Sequence, residues 1–134
     1  KGGNLLLNVG PTARGSFDYR AENALEKIGT WMKANGRSIY QCTQAPESWK
    51  APKGSMITYN SKKNRLYIHI TDYKTGWLKL DNAVGKIKYA QFLHDNSEIK
   101  FQKHWDSKYP NDVVFSKPNL KPNVEIPVIE IFLN

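Results

Sequence analysis

The chain has 134 residues, of which 40% are hydrophobic and 24% charged, so it can form a domain with a real core and lacks the composition of a disordered protein. Its net charge of +8 comes from scattered lysines, and the longest basic run, Lys62-Lys63, falls in a predicted turn, so we expect no nucleic-acid partner. The single cysteine, Cys42, excludes an internal disulfide and a cysteine zinc site, and no apolar stretch reaches the roughly 18 residues that span a membrane.

The first stretch, residues 1–11, reads Lys-Gly-Gly-Asn-Leu-Leu-Leu-Asn-Val-Gly-Pro. A short apolar run bounded by Gly and Pro predicts a strand that is buried on both faces. Such a strand needs neighbours on both sides, and the chain does not begin with Met, so we expect it to be the C-terminal piece of a larger protein. In this piece alone, we expect the strand to be displaced, paired with another molecule or covered by the helix that follows.

An amphipathic helix is predicted next. Asp18 is a plausible N-cap, and Asn35-Gly36 provides a C-terminal stop with Gly in the left-handed conformation. Apolar residues recur at helical spacing, which places Trp31 in the core. These residues are Ala21, Ala24, Leu25, Ile28, Trp31 and Met32. A buried strand followed by such a helix is one unit of a parallel α/β barrel.

Beyond Gly36 the pattern changes to short strands separated by polar turns, which predicts an antiparallel β-sandwich and a mainly β fold. The domain boundary is placed near Arg37, giving a barrel remnant over 1–36 and a sandwich over 37–134. In the strand 65–70, Leu66, Ile68 and Ile70 alternate with more polar residues, so one face is expected to point inward. The predicted strands are 55–60, 65–70, 77–80, 87–93, 98–102, 112–116 and 124–133, the last interrupted by Pro127.

The residues themselves offer no catalytic constellation or metal site. The acids before Arg37 are Asp18, Glu22 and Glu26, which the helix uses as a cap and as solvated partners of its dipole. No histidine lies near Cys42 in sequence, so we interpret it as a structural residue. The three histidines, His69, His94 and His104, are too dispersed to predict a metal site.

The order of motifs over the first forty residues resembles the end of the catalytic domain of glycoside hydrolase family 29, the α-L-fucosidases. The resemblance rests on the strand Gly-Gly-Asn-Leu-Leu-Leu-Asn-Val-Gly-Pro at 2–11, on Ile28-Gly-Thr-Trp31 in the helix, and on Asn35-Gly-Arg-Ser-Ile-Tyr40. The later hairpin at 66–69, the Trp77-x-Leu-x-Leu pattern and the terminal apolar strand follow the family's layout more loosely.

The resemblance implies the last strand and helix of a (β/α)8-like barrel followed by a C-terminal sandwich that braces it. It implies a parent enzyme that hydrolyses terminal α-L-fucose from glycans with retention of configuration, without a cofactor, using two carboxyl groups. In the family both lie upstream of this stretch, so no catalytic residue is expected here and the chain alone is expected to be inactive. Partners are then fucosylated glycans and the missing barrel, and the localisation implied is secreted or periplasmic in a bacterium.

Asn8 is the one side chain that we place near the sugar pocket. Active sites of parallel barrels lie at the carboxyl ends of the strands, and residues 8–11 form that end of the opening strand. An amide can donate to and accept from a sugar hydroxyl. The alternative is that Asn8 only hydrogen-bonds loop backbone, and Arg14 in the next loop is a weaker candidate for the pocket rim.

A second hypothesis is a carbohydrate-binding β-sandwich without catalysis. Trp49, Tyr73, Trp105 and Tyr109 lie in predicted loops, where aromatic rings can stack on sugars. The alternative is that Trp49 packs against the helix or barrel and Trp105 covers one end of the sandwich.

Overall fold

The computed structural model describes residues 3–134, which form one α-helix, a short 3-10 helix and eight strands. Every strand pair in it is antiparallel. The helix α1 spans Tyr19–Asn35, and the 3-10 helix spans Gly36–Ser38. The strands are β1 Thr43–Gln44, β2 Ser55–Asn60, β3 Arg65–Ile70, β4 Leu78–Leu80, β5 Ile87–Phe92, β6 Phe101–Lys103, β7 Val113–Phe115 and β8 Val128–Leu133.

The strands form two sheets, one of five strands in the order β1-β2-β3-β8-β5 and one of three in the order β4-β7-β6. Apolar side chains from the two sheets meet in a single core, which confirms the predicted antiparallel β-sandwich. The largest of these buried side chains are Leu66, Ile68, Leu80, Phe115, Ile129 and Ile131.

Strand β3 is buried on both faces, which the alternation in its sequence did not predict. Leu66 and Ile68 point into the core as expected, but Tyr67 is only 1% exposed and His69 only 7%. Trp31 of α1 packs against a second cluster that contains Tyr67, so the helix covers this side of the sheet. The predicted inward face of Leu66, Ile68 and Ile70 is therefore confirmed. The burial of the opposite face was not predicted, because a period-2 pattern shows which residues are polar and does not show which of them another element covers.

Helix α1 begins as predicted, since the Asp18 carboxylate accepts a hydrogen bond from the Arg20 N–H at 2.8 Å. Its end differs. Gly36 has φ −58° and ψ −27°, so it is right-handed and opens the 3-10 turn. A side chain there would place its Cβ 3.0 Å from the Tyr40 ring, so close packing accounts for this glycine. No helix among residues 3–134 is long and apolar enough to cross a membrane.

The opening strand is not formed. Residues 3–18 carry neither strand nor helix, and Leu5 and Leu6 are 87% and 92% exposed. The edges of the larger sheet are β1 and β5, and neither pairs with this segment. No described strand pairs with its backbone, and displacement is one of the outcomes that we expected of the isolated segment. The buried strand expected in a larger protein stays a prediction.

We predict that Leu66→Ala destabilises the chain by about 2–5 kcal/mol, because it opens a cavity in a fully buried site. Urea unfolding followed by tryptophan fluorescence measures the change. The matched control is Met56→Ala on the adjacent β2, where the side chain is 50% exposed and we expect less than about 1 kcal/mol. Equal losses from both substitutions would contradict the assigned core.

Candidate functional site

The helix side of the larger sheet holds a buried carboxylate, Glu130 in β8, whose side chain is 6% exposed. Arg37 Nη2 and Gln91 Nε2 each donate to Oε2 at 2.8 Å, and the Tyr67 hydroxyl donates to Oε1 at 3.2 Å. A buried charge is tolerated when it is paired and hydrogen-bonded. Because Arg37 belongs to the 3-10 turn, this ion pair joins the exit of the helix to the sheet.

The Tyr67 hydroxyl stays a donor in this cluster. Burial, and then the negative charge of Glu130, raise the pKa of Tyr67 well above its ordinary value. Trp31 adds a second attachment, since its Nε1 donates to the backbone oxygen of Ile126 at 2.8 Å. The expectation that Trp31 is a packing residue is confirmed.

His69 lies beside this cluster, its ring centroid 6.2 Å from that of Trp31. Thr58 Oγ1 donates its only proton to the Ser38 oxygen at 2.6 Å, so His69 Nε2, 3.1 Å from that hydroxyl, is the donor between the two side chains. Burial lowers the pKa of His69 to about 4. The histidine is therefore neutral near pH 7.

One apolar face of α1 remains partly open beside the segment that precedes β8. A depression of about 380 Å³, which we call the helix groove, is lined by Ala24, Lys27, Ile28, Trp31, Glu125 and Ile126. Ile28 is 48% exposed in it. The apolar stripe predicted for the helix is thus only partly covered by the described residues.

Asn8 is exposed in the segment that has no regular structure, and it forms no hydrogen bond within residues 3–134. Arg14 is exposed in the same segment. The structure brings neither residue to another candidate, so the role of Asn8 stays a prediction. Burial raises the pKa of Cys42, which keeps its thiol protonated and unsuited to nucleophilic attack.

Aromatic side chains cluster on the smaller sheet, at a surface that we call the aromatic patch: Trp77, His104, Trp105 and Tyr109. Trp77 and Trp105 meet edge to face with centroids 5.5 Å apart, and His104 stacks on Trp105 at 4.6 Å. Tyr109 lies 4.9 Å from His104. Trp77 and Trp105 are 51% and 62% exposed.

Of the four aromatic residues proposed from sequence, only Trp105 and Tyr109 belong to the aromatic patch. Trp49 and Tyr73 instead pack against the sandwich core. Trp77 was missed as a surface residue, because it was assigned to a strand that begins only at Leu78. Its position directly after Gly76, where the turn ends, was the available signal. Across residues 3–134, no group of three or more His, Cys, Asp or Glu side chains could hold a metal ion.

A family model described as Alpha-L-fucosidase matches residues 1–37. Human tissue α-L-fucosidase is 31% identical over 91% of this chain and 26% of its own length. α-L-Fucosidase isoenzyme 1 from Paenibacillus thiaminolyticus superimposes with a TM-score of 0.86 at 35% identity, covering 98% of this chain and 31% of that one. The chain belongs to the α-L-fucosidase family.

Solved structures of lower sequence identity are similar to this chain in fold alone. A GH29 α-L-fucosidase from Bacteroides thetaiotaomicron gives a TM-score of 0.75 at 21% identity over 95% of this chain. The chain spans about a quarter to a third of the length of the relatives that it matches.

We predict that stability falls as the pH is lowered from about 6.5 to 4. The unfolded chain binds a proton at His69 near pH 6.5, whereas the folded chain does so only near pH 4, so the free energy of unfolding decreases by about 3 kcal/mol over this window and then levels off. Urea titrations at several pH values measure it. In the His69→Gln variant this part of the pH dependence of stability should disappear. An unchanged pH dependence in the variant would show that His69 is not its source.

Proposed function

We propose that this chain is the C-terminal portion of a retaining exo-α-L-fucosidase that removes terminal α-L-fucose from glycans, and that its sandwich braces the catalytic barrel. The observation that carries the proposal is the agreement with the Paenibacillus α-L-fucosidase, at 35% identity over 98% of this chain. A secreted or periplasmic location fits the proposal, because fucosylated glycans lie outside the cytoplasm.

The hydrolytic chemistry is proposed to reside outside this chain. Retention requires a carboxylate nucleophile and a carboxylic acid about 5 Å apart across the scissile bond. Asp81 and Asp112 do lie near each other, since both contact Lys79 Nζ, at 2.6 and 2.8 Å. Hydrogen bonds from Lys79 and from the Asn82 N–H lower the pKa of Asp112. It therefore remains ionised and cannot serve as the general acid at neutral pH.

The bracing role rests on the apolar surface that this chain leaves open. Leu5 and Leu6, in the segment without regular structure, and Ile28, in the helix groove, are exposed apolar side chains. They follow one another along the chain in the order in which a barrel strand and its helix would. Exposed apolar patches mark surfaces that bind another element. In the intact protein they would pack against the other strands and helices, and Asn8 would then lie at the mouth of the barrel.

Activity is tested on an aryl α-L-fucoside with the intact protein and with the 134-residue chain. We expect turnover only by the intact protein, with the α-anomer of fucose as the first product detected by proton NMR. The Val84→Asp variant of the intact protein is the folded control, since Val84 lies in a turn of the sandwich and is 39% exposed, and we expect the variant to retain turnover. Absence of turnover by the intact protein, or a first-formed β-anomer, would contradict the proposal.

The bracing role is tested with Ile28→Asp. In the 134-residue chain Ile28 is half exposed, so we expect a change within about 0.5 kcal/mol. In the intact protein the same aspartate would be buried against the barrel, and we expect a loss of about 2–4 kcal/mol. Val84→Asp, at a turn residue that is 39% exposed, is the matched control and should be neutral in both. Thermal unfolding measures each variant, and a neutral Ile28→Asp in the intact protein would contradict the proposed interface.

A further inference from the structure

The aromatic patch is held in place by its own contacts. Its four rings follow one another at centroid distances of 5.5, 4.6 and 4.9 Å, from Trp77 through Trp105 and His104 to Tyr109. Lys79 Nζ lies 4.5 Å from the centre of the Tyr109 ring. Aromatic rings fixed by their neighbours bind a ligand with little loss of conformational entropy.

Asp112 anchors this arrangement to the smaller sheet. It precedes β7 and is 7% exposed, and it accepts hydrogen bonds from Lys79 Nζ at 2.8 Å and from the Asn82 N–H at 3.0 Å. The residue that contacts the Tyr109 ring is therefore itself fixed. The patch is a preformed surface and not a set of independent loop side chains.

The surroundings of Trp77 are basic. A depression of about 320 Å³ beside its ring is lined by Lys53, Lys74 and Lys117, with Asp72 as its acid. Lys50 and Lys79 line a second depression that Trp77 also lines, with Asp81 as its acid, and Lys100 lines a third. Within the described residues Lys50, Lys53 and Lys100 form no salt bridge. Their positive charge is therefore left for a ligand.

The patch lies on the side of the sandwich away from α1. The helix covers the outer face of the larger sheet, whereas Lys79, which contacts Tyr109, belongs to β4 of the smaller sheet. The barrel, which we place on the helix side, does not cover this surface; that point rests on the proposed function.

We propose that the aromatic patch binds a sulfated glycan chain, whose sugar rings stack on Trp77 and Trp105 while its sulfate groups pair with the surrounding lysines. The CH face of a pyranose packs on an indole face, and ammonium groups form charge-assisted hydrogen bonds to anionic oxygens. Sulfate suits this surface better than a uronic carboxylate, because the lysines lie on several sides of one ring. A sugar can carry sulfate on several of its hydroxyls, whereas a uronic acid has one carboxylate at one position of the ring.

The test measures binding of dextran sulfate and of unmodified dextran to the intact protein by titration calorimetry. We expect dextran sulfate to bind at least about tenfold more tightly than dextran, because at least one charge-assisted hydrogen bond between a lysine and a sulfate adds to the affinity. Trp77→Ala and Trp105→Ala should each weaken binding about tenfold, as expected for aromatic anchors. Affinity should fall as salt is raised from about 0.1 to 1 M, where the Debye length shrinks from about 10 to 3 Å.

Matched variants separate the patch from general charge. Lys53→Gln with Lys100→Gln should weaken binding and reduce its salt dependence. Lys62→Gln with Lys63→Gln removes the same charge from the exposed β2–β3 turn, and affinity should stay within about twofold. Tyr19→Ala removes an aromatic ring that is 71% exposed elsewhere and should have no effect. Urea midpoints confirm folding, and if one tryptophan variant fails to fold, the other and the lysine pair decide.

Several outcomes would overturn the proposal. Failure of dextran sulfate to bind would contradict it, and so would equally tight binding of dextran. Equal effects of the two lysine pairs would also contradict it. So would binding of inorganic polyphosphate or single-stranded DNA that Trp77→Ala weakens as much as it weakens binding of dextran sulfate. A dimer in light scattering that Trp105→Ala converts to a monomer would assign the patch to a second copy of the chain. Turnover of a neutral aryl fucoside should be unchanged by Trp77→Ala, so this proposal and the proposed enzymatic function can fail separately.

Discussion

The structure depends on the burial of a carboxylate, Glu130, in β8, between β3 and β5 of the larger sheet. A charge in that position requires donors from several elements, and the chain supplies them from β3, β5 and the turn after α1. Only Arg37 carries a full positive charge among these donors. The position of the helix exit relative to the sheet is therefore fixed by electrostatics as well as by the packing of Trp31.

This attachment gives the sandwich two sides with different roles. The helix side is sealed near Trp31 but keeps an apolar groove around Ile28, as expected of a surface that meets another part of a protein. The opposite side ends in the aromatic patch, with lysines around Trp77. In our two proposals, the barrel contacts the first side and the sulfated glycan binds to the second.

The sequence allowed the β-sandwich, the hairpin of β2 and β3 and the Asp18 cap to be predicted, because each depends on local periodicity or turn chemistry. It did not reveal that Tyr67 and His69 are buried, since that depends on where the helix packs. The aromatic patch was half predicted: Trp105 and Tyr109 were identified, but their neighbour Trp77 comes from a turn far away in sequence. Asn8 stays a prediction, and so does the boundary near Arg37.

The central claim is that Arg37 and Glu130 hold the helix exit on the sheet, and a double-mutant cycle tests it most directly. Unfolding free energies are measured for the parent chain, Arg37→Met, Glu130→Gln and the double variant. We predict that Arg37→Met is destabilising because it leaves a buried carboxylate without its cation, that Glu130→Gln restores part of the loss, and that the coupling is about 1–3 kcal/mol. Additive effects, with a coupling near zero, would contradict this account.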